Sequence, residues 1–267
     1  MIKSLDDFKN LPGNRPDFLY KYRSLADDNL KQYTQDIFLN NRLYHCATKD
    51  FNDPFEAIFY FELSSYHIDI EEFIISWRYF SNLNDQDISD LIDSAEIHQQ
   101  SSHYESLAQK LQEKIQQRTT VLSLCEAYDN ILMWSHYADS HRGICIEFDL
   151  NVAFEYWRQV LPMQYVNEFP YVIGTEIGVR ELKAIYLSKS NQWAYEKEWR
   201  LINQLKTPGL LAFPEESISG VILGFNISQE DTNIVKEWVK YRKRKPIIRK
   251  TFIDNYSYSL GLTDIIN

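Results

Sequence analysis

The charged run Glu196-Lys197-Glu198-Trp199-Arg200 has the spacing best suited to chemistry in this sequence. If the run is extended, Glu196, Glu198 and Arg200 project from one face of a strand, because side chains alternate between the two faces. Two close carboxylates raise the pKa of at least one of them, which is a common basis for acid–base catalysis. Two non-catalytic interpretations remain open: a helix end with an i,i+4 pair between Glu196 and Arg200, and a structural ion pair in a strand.

The motif Trp134-Ser135-His136 is a second candidate, with His141 five residues beyond His136. In a helix, positions i and i+5 lie about 140° apart, so the two histidines do not form the usual metal-binding pair. His136 could face a pocket as a hydrogen-bond donor or general acid. The alternative is a half-buried histidine bonded to backbone in an aromatic core.

The motif Asn52-Asp53-Pro54-Phe55-Glu56 is predicted to form a rigid turn, because Pro54 fixes its own φ angle and restricts Asp53. Asp53 and Glu56 could bind Mg²⁺ together with Glu198, as in a metal-dependent nuclease or phosphodiesterase. The alternative is an Asx turn in which a side chain caps the following segment, with no metal at the site. In either case the turn could form one wall of a pocket.

The elements that must position these residues are strands and helices mixed without regular βαβ spacing. This mixture predicts an α+β fold, with a mixed, mostly antiparallel sheet and flanking helices. Strands are predicted from alternating or short apolar runs at 18–23, 42–47, 121–124, 143–148, 198–202, 218–223 and 247–253. Helices are predicted at 25–39, 131–138 and around 234–239.

The chain of 267 residues is expected to be a single domain, residues 1–267, with a helical insertion at 69–118. Within this insertion, apolar residues recur at helical spacing from Ile70 to Trp77, from Ile88 to Ala95, and from Tyr104 to Ile115.

The net charge of −10 argues against broad electrostatic binding to nucleic acid or anionic membrane. The basic run Lys240–Lys245 is a local exception that a helix C-terminus explains. Cys46, Cys125 and Cys145 have no metal-binding spacing, which fits free thiols in a reducing compartment. No apolar leader or long apolar run is present, so a cytoplasmic protein is expected, and its oligomeric state is left open.

Three groups of segments resemble the DUF2971 family, a domain of unknown function. The resemblance lies in 19–24 with 43–45 and 51–56, in 132–138 with 141–148, and in Lys189 with 193–202. It implies a bacterial, cytoplasmic protein and brings no established activity.

The Glu196-Lys197-Glu198 spacing is also similar to a pattern in ADP-ribosyltransferases. These enzymes place Glu-x-Glu at the start of a core strand and an Arg or His on an earlier strand. Their second Glu holds the nicotinamide ribose of NAD and stabilises an oxocarbenium-like centre, the charge problem that glycosidases also face. The likeness gives that role to Glu198 and a pyrophosphate clamp to Arg23, with His45 as the alternative early residue. The Ser-Thr-Ser motif of the pattern is missing, and Ser123 is a poor substitute for it.

We therefore expect a pocket with Glu198, Glu196, Arg23 and His136 as catalytic residues. Substrate-binding residues are expected to be Asp53, Arg200, Trp134 and Tyr22. The leading hypothesis is an enzyme that acts on a nucleotide such as NAD. The alternatives are the metal-dependent nuclease and a non-catalytic ligand-binding module, such as a sensor in bacterial stress or phage defence.

Overall fold

The structure is a computed structural model that describes residues 15–62, 74, 84–96, 109–110, 112–113, 116–117, 119–173, 179–203 and 207–265. Fourteen strands lie in these residues: β1 Phe18–Arg23, β2 Arg42–Ala47, β3 Tyr60–Glu62, β4 Thr120–Cys125, β5 Ile144–Asp149, β6 Val160–Pro162, β7 Gln164–Val166, β8 Tyr171–Ile173, β9 Ser188–Ser190, β10 Glu198–Asn203, β11 Gly209–Ala212, β12 Ile218–Leu223, β13 Ile247–Ile253 and β14 Leu260–Asp264. The helices are α1 Asp28–Leu39, α2 Asp85–Glu96, α3 Ile131–Tyr137, α4 Phe154–Trp157, α5 Val179–Leu187 and α6 Gln229–Lys240.

Ten strands form one large sheet, and the predicted α+β fold is confirmed. The main path runs β11-β2-β4-β1-β5-β12-β13-β14, and β10 pairs with β4 on one side and with β6 on the other. All of these pairs are antiparallel except β12 with β13. Two small parallel pairs, β3 with β8 and β7 with β9, lie outside the large sheet.

The larger core cluster lies on one face of this sheet, under α1 and α6, and a smaller cluster on the other face packs against α3. Alternate residues of the central strands, such as Leu19, Ile146 and Val221, are completely buried there. The two helices meet where Phe38 stacks on Trp238, with ring centroids 5.9 Å apart. Helix α1 begins after Asp27, whose carboxylate accepts a hydrogen bond from the backbone N–H of Leu30. The core therefore fixes α1 beside β1, where one wall of the candidate site lies.

The predicted helical insertion at 69–118 falls mainly outside the described residues. Its second apolar pattern corresponds to α2, residues 109–110 and 112–113 of the third are also helical, and so are residues 116–117 just beyond it. The first pattern, 70–77, lies outside the described residues except for Ile74, which is buried. The insertion as a unit stays a prediction. Among the described residues, no helix combines the length and apolar character that a membrane crossing would require.

Candidate functional site

A pocket of about 570 Å³ opens between α1, the turn at 51–52 and the ends of strands β1, β2, β4 and β10. This volume is typical of small-molecule sites. Its walls combine aromatic rings with a few charged side chains. The charged residues that line it are Lys21, Arg23, Lys189, Glu196 and Glu198.

The pocket lies where the sheet divides. One edge of β4 pairs with β10 along its whole length, from Thr120 to Cys125. The other edge pairs with β2 only at Thr120 and Val121, and with β1 only at Cys125. Between these two contacts, the carbonyl oxygen of Ser123 accepts a hydrogen bond of 2.9 Å from Lys21 Nζ instead of from a strand. The Lys21 side chain thus supplies the hydrogen bond that the Ser123 carbonyl would otherwise lack where β1 and β2 diverge.

Glu198 is the first residue of β10, and Glu196 ends the short 3-10 helix before it. Lys197 joins the two with a left-handed backbone, φ 44°, which turns the chain sharply into the strand. Both carboxylates are buried, and both accept hydrogen bonds from the ammonium group of Lys189. Its Nζ lies 2.5 Å from Glu196 Oε2 and 3.0 Å from Glu198 Oε2. The acidic pair is therefore bridged by a lysine.

Arg200 lies two residues further along the same face of β10 and is fully buried. Its Nε donates to Glu198 Oε1 at 2.8 Å, and its two Nη atoms donate to the two oxygens of Glu56. One Nη also donates to the backbone carbonyl of Tyr186 at 3.2 Å. Glu198 and Arg200 share one face of the strand as predicted, but Glu196 lies in the preceding 3-10 helix, so its predicted place on that face is wrong. The guanidinium of Arg200 ties β10 to the turn at 51–56.

The charges around Glu198 keep its carboxylate ionised. Burial alone would raise the pKa of Glu198, but the positive charges of Arg200 and Lys189 outweigh burial and lower this pKa to about 2. The Ser123 hydroxyl donates a hydrogen bond to the carboxylate and lowers the pKa further. Burial would lower the pKa of Lys189, yet Glu198 and Glu196 raise it above the ordinary value. The carboxylate is thus a poor general acid and a permanent negative charge.

The opposite wall carries two cations, Lys21 and Arg23. Among the described residues, neither Lys21 nor Arg23 has a carboxylate within 4.0 Å. Arg23 donates through Nε to the hydroxyl of Thr34 at 3.2 Å, which leaves its Nη atoms without a hydrogen bond to that helix. Burial lowers the pKa of Arg23, a group that stays protonated at any physiological pH. This wall is suited to an anionic ligand.

Tyrosines supply most of the aromatic surface. Tyr33 and Tyr44 are exposed at the pocket, and Tyr22 lies deeper. Tyr137 donates its hydroxyl to Glu196 Oε1 at 2.6 Å, and Asn52 Nδ2 lies 3.4 Å from the same hydroxyl. The rings offer flat faces for a planar ligand while the tyrosine hydroxyl helps to orient the acidic pair.

The structure brings four of the eight predicted site residues to the pocket: Glu198, Glu196, Arg23 and Tyr22. The other four do not line it: His136, Asp53, Arg200 and Trp134. His136 is exposed on α3, and Trp134 is fully buried. The Trp134 indole donates to the backbone carbonyl of Tyr128 at 2.7 Å.

Asp53 has the geometry of the Asx-turn interpretation. Its carboxylate accepts a hydrogen bond of 2.9 Å from the backbone N–H of Phe55. The guanidinium of Arg200 lies between Glu56 and Glu198, at the place where a shared cation would have to sit. Within the part of the chain that the structure describes, no group of three or more His, Cys, Asp or Glu side chains is arranged to hold a metal ion.

Three residues of the site were not among the predicted site residues: Lys21, Ser123 and Lys189. Lys21 and Ser123 each interrupt an otherwise apolar or aromatic strand, and a polar residue at such a position is the signal that could have found them. Lys189 precedes Glu198 by nine residues. Its place in the DUF2971-like segment is the signal that could have identified it as a site residue.

A family model described as "Protein of unknown function (DUF2971)" matches residues 133–201. The resemblance to DUF2971 is confirmed. The DUF2971 match covers about a quarter of the chain and includes Tyr137, Lys189, Glu196, Glu198 and Arg200. The acidic wall of the pocket therefore lies within the DUF2971 segment, and the cationic wall on β1 lies outside it. No curated protein and no solved structure matches the chain.

Proposed function

We propose that the chain is an enzyme that cleaves NAD and transfers or releases its ADP-ribosyl group. The observation that supports this proposal is the order of three neighbouring strands around one pocket. Arg23 ends β1, Ser123 lies in β4, and Glu198 begins β10. These are the residue types of the ADP-ribosyltransferase-like pattern, and all three line the pocket.

The two walls suit the two halves of the reaction. Arg23 would bind the pyrophosphate through its Nη atoms, because guanidinium groups bind phosphate oxygens in a bidentate manner. The tyrosine rings would stack on adenine or nicotinamide. Both contacts would place the scissile N-glycosidic bond between the walls, close to Glu198.

Glu198 would act on the sugar rather than on a proton. When nicotinamide leaves, positive charge develops at the ribose carbon, and an ionised carboxylate stabilises that charge. The low pKa of Glu198 fits this role and not that of a general acid. Lys189, Arg200 and Ser123 would hold the carboxylate in place, since each donates a hydrogen bond to it.

A second candidate is a module that binds a nucleotide without converting it. The observation in its favour is that both carboxylates of the pocket are already neutralised by Lys189, and Glu198 also by Arg200. Two nearby cations weaken the negative field that would stabilise the transition state. Binding would then depend on the cationic wall and the aromatic rings alone.

The two candidates are separated by measuring binding and turnover on the same protein. Binding of NAD is measured by thermal shift, and turnover by release of nicotinamide in liquid chromatography. Glu198→Gln keeps the shape of the side chain and removes its charge. Glu237→Gln, at an exposed position of α6, is the matched control.

We expect NAD to raise the melting temperature of the parent protein, because a ligand that binds only the folded state stabilises it. Turnover should fall by at least about 100-fold in Glu198→Gln, the scale of losing one electrostatic contact to a transition state. It should be unchanged in Glu237→Gln. Binding without turnover would select the second candidate, and the absence of NAD binding would refute the enzyme proposal.

A further inference from the structure

The pocket contains two lysines in opposite electrostatic surroundings. Lys189 is buried and donates to two carboxylates. Lys21 is half-buried, and its ammonium group donates to a neutral backbone carbonyl, that of Ser123. A lysine held by two carboxylates stays protonated and unreactive, whereas a lysine without one can lose its proton and become a nucleophile.

The surroundings of Lys21 come from four strands. Arg23 on β1 adds a positive charge, while Cys125 on β4, Glu198 on β10 and Cys46 on β2 act in the other direction. Burial is the largest influence, and together with Arg23 it lowers the pKa of Lys21 to about 8. A substantial part of the Lys21 population is therefore a neutral amine at pH 7.5 to 8.

We propose that Lys21 is a covalent capture site that forms an imine with an aldehyde ligand carrying a phosphate group. The neutral Nζ attacks the carbonyl carbon, and a C–N bond forms. The carbonyl oxygen leaves as water, which takes up the two protons that the amine loses, and a C=N bond remains. No electrons are gained or lost, so the step needs neither an oxidant nor a reductant.

The ligand class follows from the neighbours of Lys21. The Arg23 guanidinium, on the same strand face two residues away, has Nη atoms suited to a phosphate. The lining tyrosines suit an aromatic or sugar ring between the phosphate and the aldehyde. The inference does not depend on NAD cleavage, because it uses the cationic wall and not Glu198.

The test uses pyridoxal 5′-phosphate as the probe, with the folded protein in its native state. The imine is fixed with sodium borohydride, and peptide mass spectrometry measures the rate of labelling at each lysine. Lys243, which is 91% exposed at its side chain, serves as an internal reference for an ordinary lysine. Lys189 serves as a reference for a lysine of the same pocket held by carboxylates.

At pH 7.5 we expect Lys21 to be labelled at least about tenfold faster than Lys243, since a lowered pKa increases the fraction of neutral amine. The rate at Lys21 should reach half of its maximum near pH 8, and inorganic phosphate should slow it. Lys189 should remain unlabelled. In Lys21→Arg the fast labelling should disappear, while in Arg23→Gln the preference for pyridoxal 5′-phosphate over pyridoxal should fall.

Two results would overturn the proposal. One is labelling of Lys21 at the same rate as Lys243 in the parent protein, a measurement that needs no variant to fold. The other is labelling of Lys21 that is equally fast with pyridoxal and with pyridoxal 5′-phosphate. That result would show that the phosphate group is not recognised.

Discussion

Removal of the buried guanidinium of Arg200 should destabilise the protein more than any exposed charge change. In Arg200→Met, Glu56 and Glu198 lose the cation that lies between them, and the carbonyl of Tyr186 loses a donor. Breaking a buried ion pair by removing one partner costs about 3–5 kcal/mol of the free energy of unfolding, because the remaining charge is buried without compensation. Here Glu56 is left without its cation, whereas Glu198 keeps Lys189, so we expect a value within that range.

The assay is urea unfolding followed by tryptophan fluorescence, with thermal unfolding as a second measurement. For a chain of this size, the expected loss corresponds to a fall in melting temperature of roughly 6–20 °C. Arg142→Met is the matched control, since Arg142 makes two hydrogen bonds of 2.9 Å to Asp139 on the surface. An exposed pair contributes at most about 1 kcal/mol.

A triple variant separates the charge effect from lost packing. In Glu56→Gln, Glu198→Gln, Arg200→Met, the ion group formed by Glu56, Arg200 and Glu198 is removed as a whole, while Lys189 keeps its pair with Glu196. We expect the triple variant to be more stable than Arg200→Met alone. The reasoning is refuted if Arg200→Met loses no more stability than Arg142→Met. A triple variant less stable than the single one would show that packing, not charge, dominates.

Four further outcomes follow from other residues of the protein. The pKa of Glu198 is lowered in the folded state, so its carboxylate stabilises the fold above about pH 5, and this stabilisation is lost as the pH falls towards 2. In urea unfolding, acidification should therefore reduce the stability of Glu198→Gln by about 3 kcal/mol less than that of the parent protein. Gly143→Ala would place a methyl carbon 2.1 Å from the Arg23 carbonyl oxygen, so its melting temperature should fall by an amount equivalent to about 1–3 kcal/mol. Tyr137→Phe removes the hydrogen bond to a buried carboxylate, and chemical denaturation should show a loss of about 1.5–3 kcal/mol. Burial raises the pKa of Cys125 to about 12, so alkylation by iodoacetamide at pH 8 should be blocked in the folded protein and rapid in urea.

Most strands and helices could be predicted from local patterns. Strands β1, β2, β12 and β13 begin and end where the alternation of apolar residues places them. The short strands β6 to β9 were not predicted, because three residues are too few to show a period of two. Helix α3 was predicted, but its seven residues give too little periodicity to show that His136 faces outward while Trp134 faces the core.

The composition of the site could be predicted only in part. The placement of Glu198 at the start of a strand follows from its own neighbours in sequence. The partner of Arg200 does not, since Glu56 lies 144 residues earlier and the pairing depends on the whole sheet. The position of Lys21 depends on the divergence of β1 and β2, which no local pattern records. These parts of the site depend on pairing between residues far apart in the sequence, so local spacing could not predict them.

The two walls of the pocket come from distant parts of the chain, and this has a consequence for the growing polypeptide on the ribosome. The two walls of the pocket are separated by more than half of the chain, so a nascent protein that has emerged only as far as β5 exposes Lys21 and Arg23 without their acidic counterpart. At ordinary translation speeds the interval between synthesis of the two walls is roughly ten seconds or more. The complete pocket can thus form only after β10 has been synthesised.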